Sequence, residues 1–291
     1  MGNYLNIGNA GFTSIRKGIY VDKTGMISFM NSILGTADKM VCVSRPRRFG
    51  KSFAAKMLCA YYDKSCDSGA LFQGTEIAKD SSFEKYLNKY NVIYLDITLF
   101  TSRAASTKDV VKNIDEAVRK EVEESFPDVP KGTDLAETLA NTARAIGEKF
   151  IMIIDEWDVV FREAKNDMSV QKEYIFFLRS LFKSSWTDAT FDAAYITGIL
   201  PIKKYNTQSA MTDFQEYTML APKRLVEYVG FTEAEVRELC EGHGMEFEQL
   251  KRWYDGYTFQ RVKSVYNPSS VMEAVKNQEL GNYWTRSETY E

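Results

Sequence analysis

The sequence predicts an α/β fold in which a mainly parallel sheet carries helices on both faces. Short apolar runs rich in β-branched residues alternate with longer segments of helical periodicity over roughly the first two thirds of the 291-residue chain. Connections of this length are crossovers, which favour parallel strand pairing with helices on both faces. Ligands of such folds bind at the carboxyl ends of the strands. The predicted strands cover residues 40–43, 91–97, 150–154 and 193–200.

Helical spacing of apolar residues predicts the segments between these strands. Val110, Ile114 and Val118, for example, lie on one face of a helix. The glycine-punctuated segment before residue 20 is predicted to be rich in loops. The predicted helices cover residues 26–34, 53–62, 83–90, 108–124, 133–146 and 168–184.

The segment 44–52 connects the first strand to a helix and reads Ser-Arg-Pro-Arg-Arg-Phe-Gly-Lys-Ser. A Gly-Lys-Ser sequence at a strand-to-helix turn is the context of a phosphate-binding loop. Backbone N–H groups at a helix start lack intrahelical partners, so a phosphate can accept their hydrogen bonds. Gly50 lets the backbone approach a phosphate, Lys51 places a positive charge on the outer phosphates, and Ser52 offers a hydroxyl to Mg²⁺.

This loop departs from the usual pattern because Arg45 stands where a glycine is expected. Pro46 fixes its own φ and helps the chain enter the turn. Arg45, Arg47 and Arg48 bring guanidinium donors suited to phosphate, and Phe49 completes the predicted nucleotide-binding loop. The alternative is a chance Gly-Lys-Ser with arginines on a solvated face, which the strand-turn-helix context disfavours.

The third predicted strand runs directly into Asp155 and Glu156. Two carboxylates at the end of a central strand are costly unless they meet cations. In phosphate-loop enzymes such an aspartate holds Mg²⁺, and in one large branch the next glutamate orients or deprotonates water. The alternative is an ordinary strand end with exposed acids, and the Gly-Lys-Ser loop upstream favours the metal and water roles.

Further polar residues follow the other strands. Thr197 can sense the γ-phosphate or hold the attacking water, or it can be a turn residue before Gly198. Lys203 and Lys204 can reach phosphates or be solvated. Asp96 can face the site or cap the next segment.

Tyr20 precedes the phosphate-binding loop and is a candidate for contact with the adenine base. In the alternative interpretation Tyr20 is a core residue and Asp22 caps the following helix. The sequence leaves both interpretations open.

The character of the chain changes past Pro222. Thr232-Glu233-Ala234-Glu235 is a capping box that opens a helix to about Cys240. Further helices are predicted over 247–253 and 270–276, with a turn and a strand over 254–259 between them. We therefore predict two domains, a core over residues 1–221 and a small, mostly helical, winged-helix-like lid over residues 222–291.

Composition is that of an ordinary soluble globular protein, with a net charge of −3. This charge does not favour binding of nucleic acid by the whole surface, although a local basic patch is compatible with it. The cysteines at 42, 59, 66 and 240 have no C-x-x-C spacing, so a disulfide framework or zinc site is not expected. His243 is expected in a loop after a helix. Without a signal-peptide pattern or a membrane-spanning run, the expected location is the cytoplasm.

Several motifs together resemble one family, the predicted AAA-ATPase-like proteins of bacteria and archaea. The resemblance covers nearly the whole chain, and its most specific part is the Arg-Pro-Arg-Arg-Phe-Gly-Lys-Ser loop. Trp157 and Val159 depart from the family, which usually has Tyr and Pro at these positions. The motifs are at residues 20–24, 45–52, 154–158, 197–199, 254–257 and 266–268.

The resemblance implies a phosphate-loop ATPase related to AAA+ and STAND proteins, with a helical lid. It gives phosphate and Mg²⁺ roles to Lys51 and Ser52, and Mg²⁺ and water roles to Asp155 and Glu156. Family members often continue into a C-terminal domain similar to restriction-endonuclease-like nucleases, so this chain is expected to be the ATPase part of a larger defence or mobile-element protein.

The first functional hypothesis is Mg²⁺-dependent ATP binding and hydrolysis that drives a conformational change of the lid. The second is a nucleotide-gated switch with little turnover, which the arginine-rich loop suggests. The third is a nucleic-acid-associated ATPase module, which rests on the family's nuclease partner. The absence of a guanine-reading Asn-Lys-x-Asp motif favours ATP over GTP. The oligomeric state stays open, an oligomer included.

Overall fold

A five-stranded parallel sheet forms the centre of the structure, a computed structural model that describes residues 2–202, 211–254, 256–259, 262 and 264–283. The strands are β1 (Met40–Ser44), β2 (Asn91–Asp96), β3 (Phe150–Asp155), β4 (Phe191–Gly198), β5 (Gln215–Tyr217), β6 (Phe231–Thr232) and β7 (Val265–Tyr266). The helices are α1 (Ala10–Arg16), α2 (Gly25–Ile33), α3 (Lys51–Tyr62), α4 (Gly69–Phe72), α5 (Phe83–Tyr86), α6 (Ile97–Arg103), α7 (Val110–Ser125), α8 (Leu135–Ile146), α9 (Val159–Glu163), α10 (Met168–Phe182), α11 (Thr187–Thr190), α12 (Glu233–Gly242), α13 (Phe247–Tyr254) and α14 (Pro268–Asn277).

The strands of the central sheet lie in the order β2-β3-β4-β1-β5, and neighbouring strands pair in parallel. The four predicted strands are confirmed. The edge strand β5 was not predicted, because Gln215-Glu216-Tyr217 lacks the apolar run that identifies a buried strand. With β4 between β1 and β3, the loops that follow β1, β4 and β3 emerge side by side.

Both faces of the sheet are covered by helices, as the sequence predicts. Successive residues of β1 divide between two apolar clusters: Cys42 packs with α6 to α10, and Val41 and Val43 pack with α1 to α3. Burial on both faces explains why β1 and β3 are buried along their whole length. The fold is therefore an α/β phosphate-loop architecture with its chemistry-bearing residues at the carboxyl edge.

The N-terminal segment contains a helix that the sequence analysis places in a loop. Helix α1 forms over Ala10–Arg16 because Phe12 is buried against the core, and Gly11 lets α1 approach the side chain of Lys56 on α3. Helix α2 begins after Thr24, so the expectation that Asp22 caps it is wrong. Asp22 instead accepts a hydrogen bond from the Thr24 N–H at 2.9 Å.

Helix α5 ends earlier than predicted, at Tyr86 instead of residue 90. Asn88 has a positive φ of 55°, a conformation that ends a helix. Its side-chain amide donates to the carbonyl oxygens of Ala60 and Asp63 at 3.1 and 2.7 Å, which offsets the strain. Sequence periodicity does not detect this long-range set of hydrogen bonds.

The C-terminal elements pack around their own apolar cluster, formed by α12, α13, α14 and the antiparallel pair β6-β7. The capping box is confirmed, because the Thr232 hydroxyl and the Glu235 carboxylate each accept from the other residue's backbone N–H. Helix α14 starts at Pro268, with Asn267 as its N-cap. The division at residues 221 and 222, and a winged-helix-like topology, remain predictions.

The segment before α2 connects this lid to the core. Ile19 and Val21 pack against the lid cluster, whereas Tyr20 packs against the core cluster. Lys23 Nζ lies 2.6 Å from Glu235 Oε2 and donates to the Glu227 carbonyl at 2.6 Å. Residues 19–23, which we call the N-terminal strap, therefore hold the lid to the core.

Among the described residues, none of the helices has the length and apolar character that crossing a membrane requires.

The ends of β3 and β4 approach each other closely at Gly198. The Trp157 N–H donates to the Thr197 carbonyl at 2.8 Å. A Cβ at Gly198 would lie 2.6 Å from Asp158 Oδ1 and 2.7 Å from Trp157 Cδ1, closer than real Cβ contacts. Glycine is therefore required at this position by packing.

We expect Gly198→Ala to lower the free energy of unfolding by about 1–3 kcal/mol, since Trp157 and Asp158 are buried and must shift. Gly242→Ala is the matched control, because a Cβ there would meet nothing within 4 Å. Urea unfolding of the two variants measures the difference. Equal stability of the two variants would contradict the close approach.

Candidate functional site

The phosphate-binding loop joins β1 to α3. Gly50 is the N-cap of α3 with a positive φ of 82°, and Arg48 also has a positive φ of 66°. Helix α3 begins at Lys51, so the N–H groups of its first turn face the loop without intrahelical partners. The strand-turn-helix geometry that the sequence predicts is therefore confirmed, and triphosphate binding at this turn stays a prediction.

Lys51 is almost fully buried, with 4% of its surface exposed. Its Nζ donates to the carbonyl oxygens of Arg45 and Pro46 at 3.0 and 2.9 Å. Burial lowers the pKa of Lys51, and the negative charges of Glu156 and Asp155 act in the opposite direction. Lys51 therefore lies at the same sheet edge as the acidic pair.

The three arginines of the loop differ in their surroundings. Arg45 is 1% exposed, and its Nη1 donates to the Thr218 carbonyl just beyond β5. Burial lowers the pKa of Arg45 to about 10. Its Nε and Nη2 have no protein partner, whereas Arg47 and Arg48 are exposed. The structure thus separates one buried guanidinium from two at the surface.

Phe49 connects the loop to the lid. Its ring is buried and lies 5.9 Å from the ring of Tyr257, centroid to centroid. A Cβ at Gly230 would lie 3.3 Å from Phe49 Cδ1 and 2.4 Å from Val265 Cγ1, so the lid backbone passes close to the loop. Phe49 therefore packs against the lid, a contact that its predicted role in the nucleotide-binding loop did not include.

A cavity of about 680 Å³ opens next to this contact, at the junction of core and lid. Its lining holds no residue of the phosphate loop, but the Arg45 side chain reaches the Thr218 carbonyl, next in sequence to the lining residue Tyr217. Its lining combines apolar and aromatic side chains with cationic ones, and includes Tyr217, Leu220, Pro222, Lys223, Val226 and Phe259.

Asp155 is buried at the end of β3 and is linked to β4. The Thr197 hydroxyl donates to Asp155 Oδ1 at 2.5 Å, and the Tyr94 hydroxyl lies 3.5 Å from Oδ2. Thr197 is therefore a partner of Asp155, and its side chain is not that of a simple turn residue. Tyr94 was not identified from the sequence, since a tyrosine inside an apolar strand gives no signal of its own.

Asp96 is paired in register with Asp155 on the neighbouring strand. It also caps α6, accepting a hydrogen bond from the Leu99 N–H at 3.4 Å. Burial raises the pKa of Asp96, and the negative charge of Asp155 raises it further. The cap is therefore confirmed and Asp96 lies beside Asp155 in the sheet, whereas a role for Asp96 in the site stays a prediction.

Glu156 adopts a positive φ of 55°, which is uncommon for a residue with a long side chain. Its carboxylate Oε2 accepts a short hydrogen bond from Arg162 Nη2. Burial raises the pKa of Glu156, while the charges of Lys51 and Arg162 act to lower it. Glu156 is thus paired with Arg162 and lies within the electrostatic influence of Lys51.

Arg162 and Asp158 are two further residues that sequence reasoning missed. Arg162 Nε lies 3.4 Å from Asp158 Oδ2, so one guanidinium contacts both Glu156 and Asp158. The Asp158 carboxylate is fully buried and also accepts from the N–H groups of Ile199 and Leu200. The i,i+4 spacing of Asp158 and Arg162 was the available signal, but such pairs are common on helix surfaces.

Other candidates lie apart from this set or outside the described residues. Tyr20 packs on Phe12, with its ring centroid 4.5 Å from the Arg16 guanidinium carbon. A contact of Tyr20 with a base remains a prediction. Lys203 and Lys204 lie outside the residues that the structure describes.

The donor set suits a magnesium ion bound with a nucleotide. Ser52 provides a hydroxyl in the first turn of α3, and Asp155 provides a carboxylate at the end of β3. Oxygen ligands of this kind, supplemented by phosphate oxygens and water, are those that Mg²⁺ prefers. Thr197 orients the Asp155 carboxylate.

The family model of predicted AAA-ATPases matches residues 6–207 of this chain. Among curated proteins, the comparison finds no match. Solved structures similar to this chain include the replication initiator DnaA bound to AMPPCP and single-stranded DNA, at 9% identity and a TM-score of 0.43. PCH-2 of C. elegans is similar at 12% identity and a TM-score of 0.33. The Aeropyrum pernix ORC2 protein, in ADPNP–ADP complexes, is similar at 12% identity and a TM-score of 0.40.

These matches cover 93%, 87% and 78% of this chain, respectively. They cover 66%, 49% and 54% of the solved chains, so this chain spans less than two thirds of the length of each.

We expect Asp96→Asn to raise the melting temperature at neutral pH. The raised pKa of Asp96 means that its ionised form destabilises the folded state, and asparagine keeps the helix cap without the charge. As pH falls through the raised pKa, the carboxyl becomes protonated and the advantage of the variant disappears. Thermal unfolding across neutral to acidic pH measures it, with Asp128→Asn as an exposed control. A difference that grows on acidification would contradict the electrostatic interpretation.

Proposed function

The chain belongs to the predicted AAA-ATPase family, and from this premise we propose that it binds ATP with Mg²⁺ and hydrolyses it. The observation that carries the proposal is the position of Lys51, at the start of α3 and within electrostatic reach of Asp155 and Glu156. A phosphate cradle and an acidic pair at one sheet edge are what phosphoryl transfer to water requires.

In this proposal the N–H groups that follow Gly50 bind the phosphates, and Lys51 leaves the loop carbonyls to contact the outer phosphates. Its present bonds to the Arg45 and Pro46 carbonyl oxygens are compatible with this exchange, since a phosphate oxygen is a stronger acceptor for an ammonium group. When bound, Mg²⁺ would neutralise charge on the transferred phosphoryl group, held by Ser52 and Asp155.

Glu156 is the proposed base that orients or deprotonates the attacking water, and Thr197 is the residue that orients Asp155. Glu156 suits this role because burial favours its uptake of a proton, while Lys51 and Arg162 keep the carboxylate available. The base and ribose of ATP are proposed to occupy the cavity between core and lid, where Tyr217 and Phe259 offer aromatic surfaces.

Hydrolysis is proposed to change the position of the lid. The contact of Phe49 with Tyr257 gives the phosphate loop a direct mechanical connection to the lid. A change in the loop on loss of the γ-phosphate would therefore reach the lid through one buried aromatic ring.

We expect Lys51→Ala to abolish nucleotide binding, because it removes the buried positive charge from the phosphate site. Isothermal titration with Mg²⁺ and a non-hydrolysable ATP analogue measures the affinity. Lys120→Ala, on the exposed face of α7, is the control and is expected to bind like the wild type. Undiminished binding by Lys51→Ala would remove the phosphate loop from the proposal.

We expect Glu156→Gln to bind nucleotide normally and to lose turnover by about two or more orders of magnitude, as expected for loss of a general base. Phosphate release under multiple-turnover conditions measures the rate, and the titration described above measures binding. Wild-type turnover in this variant would exclude Glu156 from the mechanism.

A further inference from the structure

Arg162 on the short helix α9 contacts two carboxylates with different environments. Its Nη2 donates to Glu156 Oε2, and its Nε lies 3.4 Å from Asp158 Oδ2. The Arg162 side chain is 19% exposed and that of Asp158 is 0% exposed. A guanidinium fixed by a fully buried carboxylate has little freedom, so it can fix a second carboxylate in turn.

Asp158 is itself fixed by the turn that follows β4. Its Oδ2 accepts hydrogen bonds from the Ile199 and Leu200 N–H groups at 3.2 and 2.9 Å. This oxygen accepts from the two backbone donors and forms an ion pair with the guanidinium, whose removal would leave a buried negative charge without its cation. Through Asp158, the turn after β4 therefore fixes the position of Arg162.

The same turn is connected to the phosphate loop. The Arg45 N–H donates to the Gly198 carbonyl at 3.1 Å, and the Ser44 hydroxyl donates to the Leu200 carbonyl at 3.1 Å. A set of hydrogen bonds thus runs from the phosphate loop through the β4 turn to Asp158, and an ion pair continues it to Arg162. It ends at the carboxylate of Glu156.

Glu156 needs such support because its backbone is strained. A non-glycine residue with positive φ is in a sparsely populated conformation that its surroundings must hold. With φ at 55°, the backbone of Glu156 sits in a tight turn, and its carboxylate is bound by Arg162. A carboxylate that activates water must be held to within fractions of an ångström of its productive position.

We propose that Arg162 is a positioning residue that holds the Glu156 carboxylate in register with the phosphate loop. This inference rests on the proposed ATPase function and adds a residue to it. Arg162 does not contact the nucleotide in this assignment; it acts only through Glu156. Arginine is required because its fork reaches Glu156 and Asp158 at once, whereas the single ammonium of lysine cannot span both in the same way.

The test uses the full chain with Arg162→Gln, Arg162→Lys, Glu156→Gln and the double variant Glu156→Gln/Arg162→Gln. Titration with Mg²⁺ and a non-hydrolysable ATP analogue gives affinity, and single-turnover hydrolysis of Mg²⁺-ATP gives the rate of the chemical step. Arg162→Gln is expected to keep the affinity and to lose about 10–100-fold in rate, as for other residues that orient a reacting group. The rate of the chemical step in Arg162→Lys is expected to lie between the rates of Arg162→Gln and the wild type.

The double variant distinguishes positioning from a general structural role. If Arg162 acts through Glu156, the double variant hydrolyses ATP as slowly as Glu156→Gln alone, because the effects of coupled residues are not additive. Additive losses would overturn the proposal, and so would wild-type or faster turnover in Arg162→Gln. Arg144→Gln, an exposed arginine on α8, is the matched control and is expected to behave like the wild type.

Failure of this inference is distinguishable from failure of the proposed function. If Glu156→Gln loses turnover and Arg162→Gln does not, only the role of Arg162 is refuted. If the wild type does not hydrolyse ATP, or Glu156→Gln hydrolyses it normally, the proposed function fails and the inference fails with it. Should Arg162→Gln not fold, the same cycle with Arg162→Lys and Glu156→Gln decides the question, with additivity again refuting the role.

Discussion

The hydrogen bond between Thr197 and Asp155 is the contact around which the site is arranged. It joins the carboxyl ends of β4 and β3 through side chains, and Gly198 lets their backbones come close enough for it. Since β4 also pairs with β1, the position of the phosphate loop is fixed relative to this contact. A parallel sheet covered on both faces makes this arrangement possible, because all its strands end at one edge.

Electrostatics at that edge depends on burial. Lys51, Arg162, Glu156 and Asp158 are all largely removed from water, so none of their charges is stable alone. Each of these groups has an opposite charge or a backbone donor or acceptor nearby. The negative charge of Asp155 also acts on Lys51. A bound triphosphate and its metal ion would bring negative and positive charges together. Their binding would therefore be compatible with protein groups that already neutralise one another.

The sequence was sufficient for the elements whose signals are local. Apolar runs identified the four main strands, the capping box identified α12, and Gly-Lys-Ser identified the phosphate loop together with the helix after it. Strand β5 and the end of α5 were not predictable in this way. The first has no apolar run, and the second depends on contacts of Asn88 with a distant part of the chain.

The site shows the same division. Lys51, Ser52, Asp155, Glu156 and Thr197 were predicted to share one site because the strand ends of a parallel sheet converge, and their functional roles stay predictions. The partners that hold them, such as Arg162 and Tyr94, were missed, because their role comes from which side chains meet across elements. The burial of Arg45 also could not be anticipated, since an arginine in a loop is usually exposed.

The N-terminal strap has a consequence for how the C-terminal elements can move against the sheet. Residues 19–23 alternate between the lid cluster and the core cluster, so the lid is attached there as well as at the chain crossing near Pro222 and at the contact of Phe49 with Tyr257. A body fastened at several separated points cannot swing freely about any one of them. Small sliding motions of packed elements are compatible with such attachment, whereas a wide hinge opening would have to break at least one of these contacts.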